Sequence, residues 1–156
     1  MIYRAIERKD CLAVVELIRE LAVYEKLEHL MEISAGDLER DLFGENPVIR
    51  SIVAERESEV VGYAIFFRSY STFLGKAGIW LEDLYVKQSE RGGGIGKRLL
   101  QEVGKIARAE GAGRLEWSVL DWNDPAIGFY RKLGADILGD WRICRLDSDG
   151  IENLTR

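Results

Sequence analysis

Arg91-Gly92-Gly93-Gly94-Ile95-Gly96 is the most informative segment of this 156-residue chain. It follows a predicted strand, Ile79–Val86, and precedes a predicted helix whose apolar residues recur every three or four positions, at Leu99, Leu100, Val103, Ile106 and Ala107. Glycine has no Cβ, so such a loop can aim successive N–H groups at one point, and the helix N-terminus behind it adds partial positive charge. The loop therefore predicts a phosphate or pyrophosphate site.

The residues beside the loop form a local basic patch on an acidic chain. Lys87, Arg91, Lys97 and Arg98 stand there against a single acid, Glu90. This charge balance favours an anionic ligand over the simpler interpretation of a flexible turn.

Two common nucleotide motifs do not match the loop. A Walker loop ends in Gly-Lys followed by Ser or Thr, but Gly96-Lys97 is followed by Arg98, and Arg91 stands where the first glycine belongs. A dinucleotide fingerprint would need a third glycine at Lys97 or Leu99. Hydrolysis of a nucleoside triphosphate is therefore poorly supported.

Outward from the loop, the hydrophobic pattern predicts an α/β fold with one sheet of mixed direction. The predicted strands are Ile2–Ile6, Val48–Ala54, Val60–Phe67, Ile79–Val86, Arg114–Leu120, Ala135–Ile137 and Trp141–Leu146. The predicted helices begin after Asp10, after Ser34, behind the glycine loop and after Asn123. No internal repeat is visible, so we expect a single domain over residues 1–156.

Composition excludes several classes of function. The chain has 22 Lys and Arg against 27 Asp and Glu, a net charge of −5, which disfavours a nucleic-acid partner because phosphate neutralisation needs a basic face. No apolar run reaches the about 18 residues of a membrane span, so we expect no membrane partner. Ile2–Ile6 is typical of a strand rather than of a signal peptide, and we expect a cytoplasmic protein.

Cysteine and histidine are too scarce for several kinds of chemistry. Cys11 and Cys144 are the only thiols and His29 the only imidazole, so we expect no metal site. A Ser-His-Asp triad would need His29, which lies in a charged stretch and is better interpreted as a surface residue. The two cysteines are predicted to be reduced.

The glycine loop resembles a known family. Arg91-x-x-Gly94-x-Gly96 is similar to the Q/R-x-x-G-x-G/A signature of the GCN5-related N-acetyltransferase (GNAT) superfamily, which lies between the fourth strand and the next helix. Further segments resemble the diamine (spermidine/spermine) and thialysine N-acetyltransferase branch, namely Glu20–Glu25, Tyr70–Lys76, Leu81–Val86, Trp122–Pro125, Phe129-Tyr130 and Trp141-Arg142. The resemblance implies the GNAT fold, with a mostly antiparallel sheet whose fourth and fifth strands splay apart.

The resemblance also implies acetyl-CoA as the acetyl donor. The backbone of Leu84, Tyr85 and Val86 would pair with the pantetheine amides as an added strand does, and an N–H near Leu84 would polarise the thioester carbonyl. The residues expected to wrap the pyrophosphate are Arg91, Gly92, Gly93, Gly94, Ile95, Gly96 and Lys97. Those expected to line the far side of the cofactor are Asn123, Asp124, Pro125 and Ala126.

Tyr130 matches the general acid of the family. As an amine attacks the thioester, the CoA thiolate leaves, and a nearby phenol can protonate it. The alternative is that Tyr130 is a packing residue of the helix Asp124–Leu133. The Phe129-Tyr130 pair after Asn-x-Pro favours the catalytic role.

Glu82 and Asp83 interrupt an otherwise apolar strand. Adjacent residues of a regular strand face opposite ways, so we expect only one of them in the pocket. A primary amine enters mostly as ammonium, with a pKa of about 10, and only the neutral form attacks. Glu82 is predicted to take that proton through a water and to hold the cation, whereas an edge position or a salt bridge is expected for Asp83.

The acceptor is predicted from charge and resemblance. Tyr24 and Glu25 lie in a stretch rich in acids, and the resemblance implies that they contact a polyamine, by stacking and by charge. Trp141 is expected to wall the same pocket, or equally to be a core residue. The loop 73–80 is one residue longer than in animal polyamine enzymes, and Phe73 stands where some members have Trp, so the identity of the acceptor stays open.

Three functions compete at this stage. The first is acetyl transfer in a ternary complex to a diamine, a polyamine or a thialysine-like amino acid. The second keeps the fold and changes the acceptor to a protein N-terminus or an aminoglycoside. The third is an inactive CoA-binding regulatory module, which the presence of both Tyr130 and Glu82 disfavours. By resemblance we also expect a homodimer.

Overall fold

A five-stranded mixed sheet organises the first 118 residues. The computed structural model describes all residues from Met1 to Arg156, which form two units, Met1–Ser118 and Val119–Arg156. The strands, in sheet order, are β1 (Ile2–Ala5), β2 (Arg50–Arg56), β3 (Glu59–Ser71), β4 (Lys76–Val86) and β5 (Leu115–Glu116). Neighbouring strands are antiparallel except β4 and β5, which are parallel. The predicted mixed, mostly antiparallel α/β fold is confirmed, whereas a single domain over residues 1–156 stays a prediction.

Three helices cover the two faces of this sheet. They are α1 (Cys11–Tyr24), α2 (Ala35–Phe43) and α3 (Ile95–Ala109). Ser34 caps α2 as predicted, since its hydroxyl accepts the N–H of Asp37 at 3.1 Å. Asp10 stands before α1 but makes no cap bond to it, because its carboxylate instead accepts from Arg4 and from the N–H of Glu7.

Two apolar clusters hold the helices to the sheet. On one face α3 packs through Leu99 and Val103 against residues such as Phe66 and Leu81. On the other face α1 and α2 pack against a cluster that includes Val53, Tyr63 and Tyr85. Each fully buried Leu or Phe of this kind contributes about 1.5–3 kcal/mol to the free energy of unfolding. Packing on both faces therefore holds β4 in place within the sheet.

β4 contains a bulge that the sequence pattern does not reveal. Asp83 is paired with Ile65 and Leu81 with the next residue of β3, Phe66, so Glu82 is an extra residue on β4. Leu81 and Leu84 consequently pack on the same face, against the α3 cluster, although two residues separate them.

The β3–β4 hairpin is longer than predicted. The predicted strands end at Phe67 and begin again at Ile79, but the ladder runs out to the pair Ser71↔Lys76. Gly78 signals close approach rather than a turn: a Cβ there would lie 2.8 Å from the Ser69 hydroxyl and 2.9 Å from the Arg114 carbonyl oxygen.

The predicted fifth strand is largely wrong in extent. Strand structure covers Leu115–Glu116 rather than residues 114–120, and these two residues pair with Ile79 and Trp80 of β4. The β4–β5 ladder ends there, so β4 has no strand partner on its β5 side from Leu81 to Val86. Hydrophobic pattern cannot locate this end, because it depends on which backbone groups reach β4.

The second unit contains two helices and no strand. α4 (Asp124–Lys132) was predicted, together with its stop at Gly134, whose φ is 89°. α5 (Ser148–Leu154) was missed, although Asp147 caps it at 2.8 Å from the N–H of Gly150. The closing strands predicted at 135–137 and 141–146 are wrong, because their short apolar runs find no backbone ladder within the chain. No helix of either unit has the length and apolar character that crossing a bilayer demands.

Candidate active site

The glycine loop leads from β4 into the N-terminus of α3. Gly92 and Gly94 have φ of 87° and 80°, the left-handed region that other residues rarely adopt, and Gly94 is the N-cap of α3. No side chain caps this end of the helix, so its first N–H groups have no intrahelical partner. A Cβ at Gly92, Gly93 or Gly94 would meet no atom within 4 Å. An open cradle of backbone donors of this kind fits a diphosphate.

Arg91 turns its guanidinium away from that cradle. Its Nε donates to the Val86 carbonyl at 3.0 Å, and its Cζ lies 5.1 Å from the ring centroids of both Tyr24 and Tyr85. Tyr85 in turn donates to Glu20 at 3.0 Å. The side chain of Arg91 therefore ties the glycine loop to the C-terminal end of α1, while Ile95 is buried under the helix and Lys97 is exposed.

The backbone of β4 is open beside the loop. Leu84, Tyr85 and Val86 pair with β3 on one side, and on the other side the β5 ladder has already ended. An extended amide-bearing chain could add to this edge as a further strand does. The residues of the first unit that were predicted to bind the cofactor thus lie on the open edge of β4 and on the loop that follows it.

The bulge places Glu82 and Asp83 on the same face of the sheet. Since Leu81 and Leu84 both face α3, the two acids between them face the α1 side. Trp80 faces that side too, and its indole Nε1 donates to Glu82 at 3.1 Å. The expectation that the two carboxylates point opposite ways is wrong, because the alternation of a regular strand does not hold across a bulge.

The pKa of Asp83 is perturbed. Burial raises its pKa to about 6, the neighbouring charge of Glu82 and that of Glu25 act in the same direction, and the hydrogen bond from Tyr63 opposes them. The phenol of Tyr63 donates to the Asp83 carboxylate at 3.3 Å. A carboxyl with this pKa changes charge close to neutral pH, whereas Glu82 is exposed to solvent.

The end of α1 brings a third carboxylate to this face. Glu25 is the C-cap residue of α1, and burial raises its pKa. Its charge acts on Asp83, so Glu25, Glu82 and Asp83 form one acidic face. Tyr24, 39% exposed, lies beside it under the Arg91 guanidinium. The predicted acceptor residues of the first unit are thus brought together.

The second unit holds the remaining predicted residues. The Asn123 side chain accepts from the N–H of Ala126 at 3.4 Å and caps α4, with Asp124 and Pro125 in the first turn. Tyr130 lies on this helix, half-buried, with its ring centroid 5.3 Å from that of Phe129. Trp141 lies outside helices and strands and is 75% exposed, so it is not a core residue.

Sequence reasoning missed Asp83 and Tyr63 as functional candidates. Asp83 was expected at an edge or in a salt bridge, and Tyr63 was treated as one more apolar residue of β3. A carboxylate in an apolar run needs a polar partner. Tyr63 was a candidate partner, because it is two residues before Ile65, the residue of the neighbouring strand that pairs with Asp83.

Comparisons with known proteins agree with this geometry. Residues 12–135 match the Acetyltransferase (GNAT) family. A thialysine N-epsilon-acetyltransferase of Bos taurus is 40% identical over 97% of this chain and 95% of its own length. A human spermidine/spermine N(1)-acetyltransferase-like protein is 33% identical over 97% of this chain, which spans 23% of that protein. An integron cassette protein from Vibrio cholerae superposes with a TM-score of 0.82 and 26% identity, over 99% and 97% of the two chains.

A chain with this fold and these relatives is an enzyme of the acyltransferase class. The chain belongs to the Acetyltransferase (GNAT) family. It is an N-acetyltransferase, similar over nearly its whole length to thialysine acetyltransferases, and the resemblance expected from its motifs is confirmed.

Proposed function

We propose that this protein transfers the acetyl group of acetyl-CoA to a primary amine of a small cationic acceptor, which is a diamine, a polyamine or a thialysine-like amino acid. The acidic face formed by Glu25, Glu82 and Asp83 is the observation that carries the proposal. Three carboxylates on one partly buried face attract a cation and disfavour a neutral or anionic acceptor. Two relatives, a thialysine N-epsilon-acetyltransferase and a spermidine/spermine N(1)-acetyltransferase-like protein, support the same class.

The donor belongs at the open edge of β4 and the glycine loop. The backbone of Leu84, Tyr85 and Val86 would bind the pantetheine arm, and the N–H groups from Gly92 to Lys97 would hold the pyrophosphate. The left-handed glycines, the open space above them and the uncapped α3 support this assignment. Asn123, Asp124, Pro125 and Ala126 are proposed as further contacts of the cofactor.

The acceptor belongs on the acidic face. The ammonium group would pair with Glu25 and Glu82, and an alkyl or cationic part of the acceptor would stack on Tyr24. Trp141 is proposed as a further wall of the acceptor pocket, and its exposure leaves its ring available for contact.

The proposed chemistry is direct attack in a ternary complex. The ammonium group loses a proton through water to Glu82, and its nitrogen then attacks the thioester carbonyl carbon. The C–N bond forms as the C–S bond breaks, and a backbone N–H near Leu84 stabilises the developing oxyanion. Tyr130 donates its phenolic proton to the leaving sulfur and is reprotonated by the proton that the new amide nitrogen loses. One proton, first taken by Glu82, passes to solvent.

An acceptor panel tests the substrate class. Purified protein with acetyl-CoA is assayed on spermidine, putrescine, thialysine, lysine and an aminoglycoside, with free thiol and acetylated amine measured together. We expect acetylated product from at least one small aliphatic amine. Product from the aminoglycoside alone, or thiol release without acetylated amine, contradicts the proposal.

Tyr130→Phe tests the general acid. We expect retained CoA affinity by titration calorimetry and a loss of turnover of about 100-fold or more. Tyr3→Phe is the matched control, since that tyrosine lies on β1 with its ring under Arg98 and outside the proposed site, and its turnover should equal that of the unmodified protein. Unchanged turnover in Tyr130→Phe removes the phenol from the mechanism.

A homodimer completes the proposal. The 133–147 segment has no helix or strand and, besides Trp141, exposes the large apolar side chains of Leu138, Ile143 and Leu146. A second copy of the chain would cover such a surface. Light scattering should give twice the mass of one chain.

A cytoplasmic location stays a prediction.

A further inference from the structure

A buried tyrosine forms a hydrogen bond with one carboxylate of the acidic face. Tyr63 lies on β3 with 0% exposure, surrounded by the apolar cluster beneath α1 and α2. Its hydroxyl donates to the Asp83 carboxylate at 3.3 Å, across the β3–β4 pairing next to the bulge. A phenol in an apolar cluster needs a polar partner, and here that partner is an acid of the proposed acceptor site.

The other charges that act on Asp83 are all negative. The titratable groups facing it are Tyr63 from β3, Glu82 from β4 and Glu25 from the end of α1. Beyond Tyr63, Tyr85 donates to Glu20 rather than to Asp83. Burial and the charges of Glu82 and Glu25 favour the protonated, neutral form of Asp83. The hydrogen bond from Tyr63 opposes them and favours the charged form.

We propose that Tyr63 is a positioning residue for the acceptor: its buried hydroxyl holds the Asp83 carboxylate ionised and fixed on the face that it shares with Glu82 and Glu25. The inference rests on the proposed function, and it adds a residue that contacts no substrate. Glu82 is exposed to water, and its carboxylate accepts a hydrogen bond from Trp80. Asp83, half-buried and held by Tyr63, supplies a fixed negative charge for the ammonium group.

The phenol is suited to this task because it keeps its proton and can therefore donate to the carboxylate. Burial, and next the charge of Asp83, raise the pKa of Tyr63 well above its usual value of 10. The hydroxyl therefore keeps its proton throughout the pH range in which Asp83 titrates. Phenylalanine at the same position would keep the packing of the ring and remove only the donor.

Tyr63→Phe is tested by the pH dependence of kcat/KM for the amine acceptor, from pH 5 to pH 9. In the unmodified protein we expect an acid limb near the pKa of Asp83, about 6. Loss of the donor moves this limb to higher pH by roughly half a unit to one unit. The variant is then about two- to fivefold weaker at pH 6 and about three- to ninefold weaker at pH 5, with the loss in KM for the amine, and equal to the unmodified protein at pH 9. Parallel profiles separated by a constant factor would overturn the proposal.

A double-mutant cycle tests whether Tyr63 acts through Asp83. Asp83→Asn removes the titrating group, so adding Tyr63→Phe to it should change kcat/KM by less than about twofold at every pH. If Tyr63→Phe costs as much in the Asp83→Asn background as alone, its role is structural and the proposal is wrong. Thermal unfolding of each variant shows that the compared proteins are folded.

A direct titration separates this inference from the proposed function. The Asp83 carboxyl is followed by carbon NMR in the unmodified protein and in Tyr63→Phe, without substrate. A higher pKa in the variant is expected, and an unchanged pKa refutes the role of the hydroxyl whatever the enzyme acetylates. A raised pKa in a protein that acetylates no amine leaves the Tyr63–Asp83 bond standing, whereas the proposed function fails and with it the role in acceptor recognition.

Discussion

The glycine loop and the acidic face differ in how far the local sequence determines them. The loop, Arg91–Lys97, offers backbone N–H groups, and its shape depends on the φ of Gly92 and Gly94. The acidic face depends on side chains from the end of α1 and from β4, which an extra residue in β4 turns to the same side. A site made of backbone is visible in a motif, whereas a site made of assembled side chains becomes visible only in the folded chain.

Deleting Glu82 gives the largest expected effect and separates the bulge from the fold. After the deletion Asp83 would follow Leu81 directly, with Leu81 opposite Phe66 and Asp83 opposite Ile65, so every other side chain of β4 keeps its face. We expect the free energy of unfolding to change by about 1 kcal/mol or less, while turnover falls by about 100- to 10,000-fold with the loss of the proposed base. Chemical denaturation and the thiol-release assay measure the two quantities.

Deleting Leu84 is the matched control for that experiment. It lies in the regular part of β4, where one missing residue would force Asp83 or Tyr85 to the opposite face. This control should lose cooperative unfolding. If the Glu82 deletion unfolds the protein in the same way, the bulge serves the fold and the comparison between the two regions fails.

The same contrast explains what the sequence could predict. The glycine loop and the helices α1 to α4 followed from period, capping and motif, because each is decided by neighbours in the chain, and the mixed sheet followed from the order of the elements. The bulge, the two-residue length of β5 and the missing strands at 135–146 did not, because each depends on which distant backbone finds a partner. Asp83 was misjudged for the same reason: its face depends on an irregularity of pairing that apolar periodicity does not record.

Asp83→Asn measures how much the ionised Asp83 carboxylate lowers the free energy of unfolding. A carboxyl whose folded pKa is about 6 rather than the usual 3.8 leaves stability intact below pH 3.8 and lowers it as the pH rises through 6. The asparagine variant lacks this loss, so we expect it to be more stable than the unmodified protein at pH 8 by about 1 to 3 kcal/mol. The difference should disappear near pH 4.

Asp10→Asn provides the control of opposite sign. Its hydrogen bond from Arg4 lowers the pKa of Asp10, so that carboxylate stabilises the fold above its usual pKa, and its contribution is lost as the pH falls through the lowered value. We expect this variant to be less stable at pH 7. Equal effects of the two substitutions at pH 8 would show that Asp83 is not held at a cost.

Gly94→Ala tests the backbone character of the donor loop. A Cβ at φ 80° strains the chain by about 1–2 kcal/mol and tilts the first N–H groups of α3, so we expect CoA affinity to fall by about tenfold in titration calorimetry. Gly75→Ala, at φ 61° in the open β3–β4 turn, should lose similar stability and no CoA affinity. If both variants bind CoA equally, the loop does not hold the diphosphate.

Arg91→Lys has the smallest expected effect and tests whether the two regions are independent. The guanidinium joins them, because it bonds the Val86 carbonyl next to the loop and stacks on Tyr24 beside the acidic face. Lysine keeps the charge and loses the planar stacking and the Nε bond. We therefore expect CoA affinity and the KM for the amine to worsen together, each by about three- to fivefold. Arg8→Lys is the control, since Arg8 makes the same pair of contacts with the ring and carbonyl of Phe43 on α2. A change in CoA affinity alone would show that Arg91 serves only the loop, and that donor and acceptor sites are built separately.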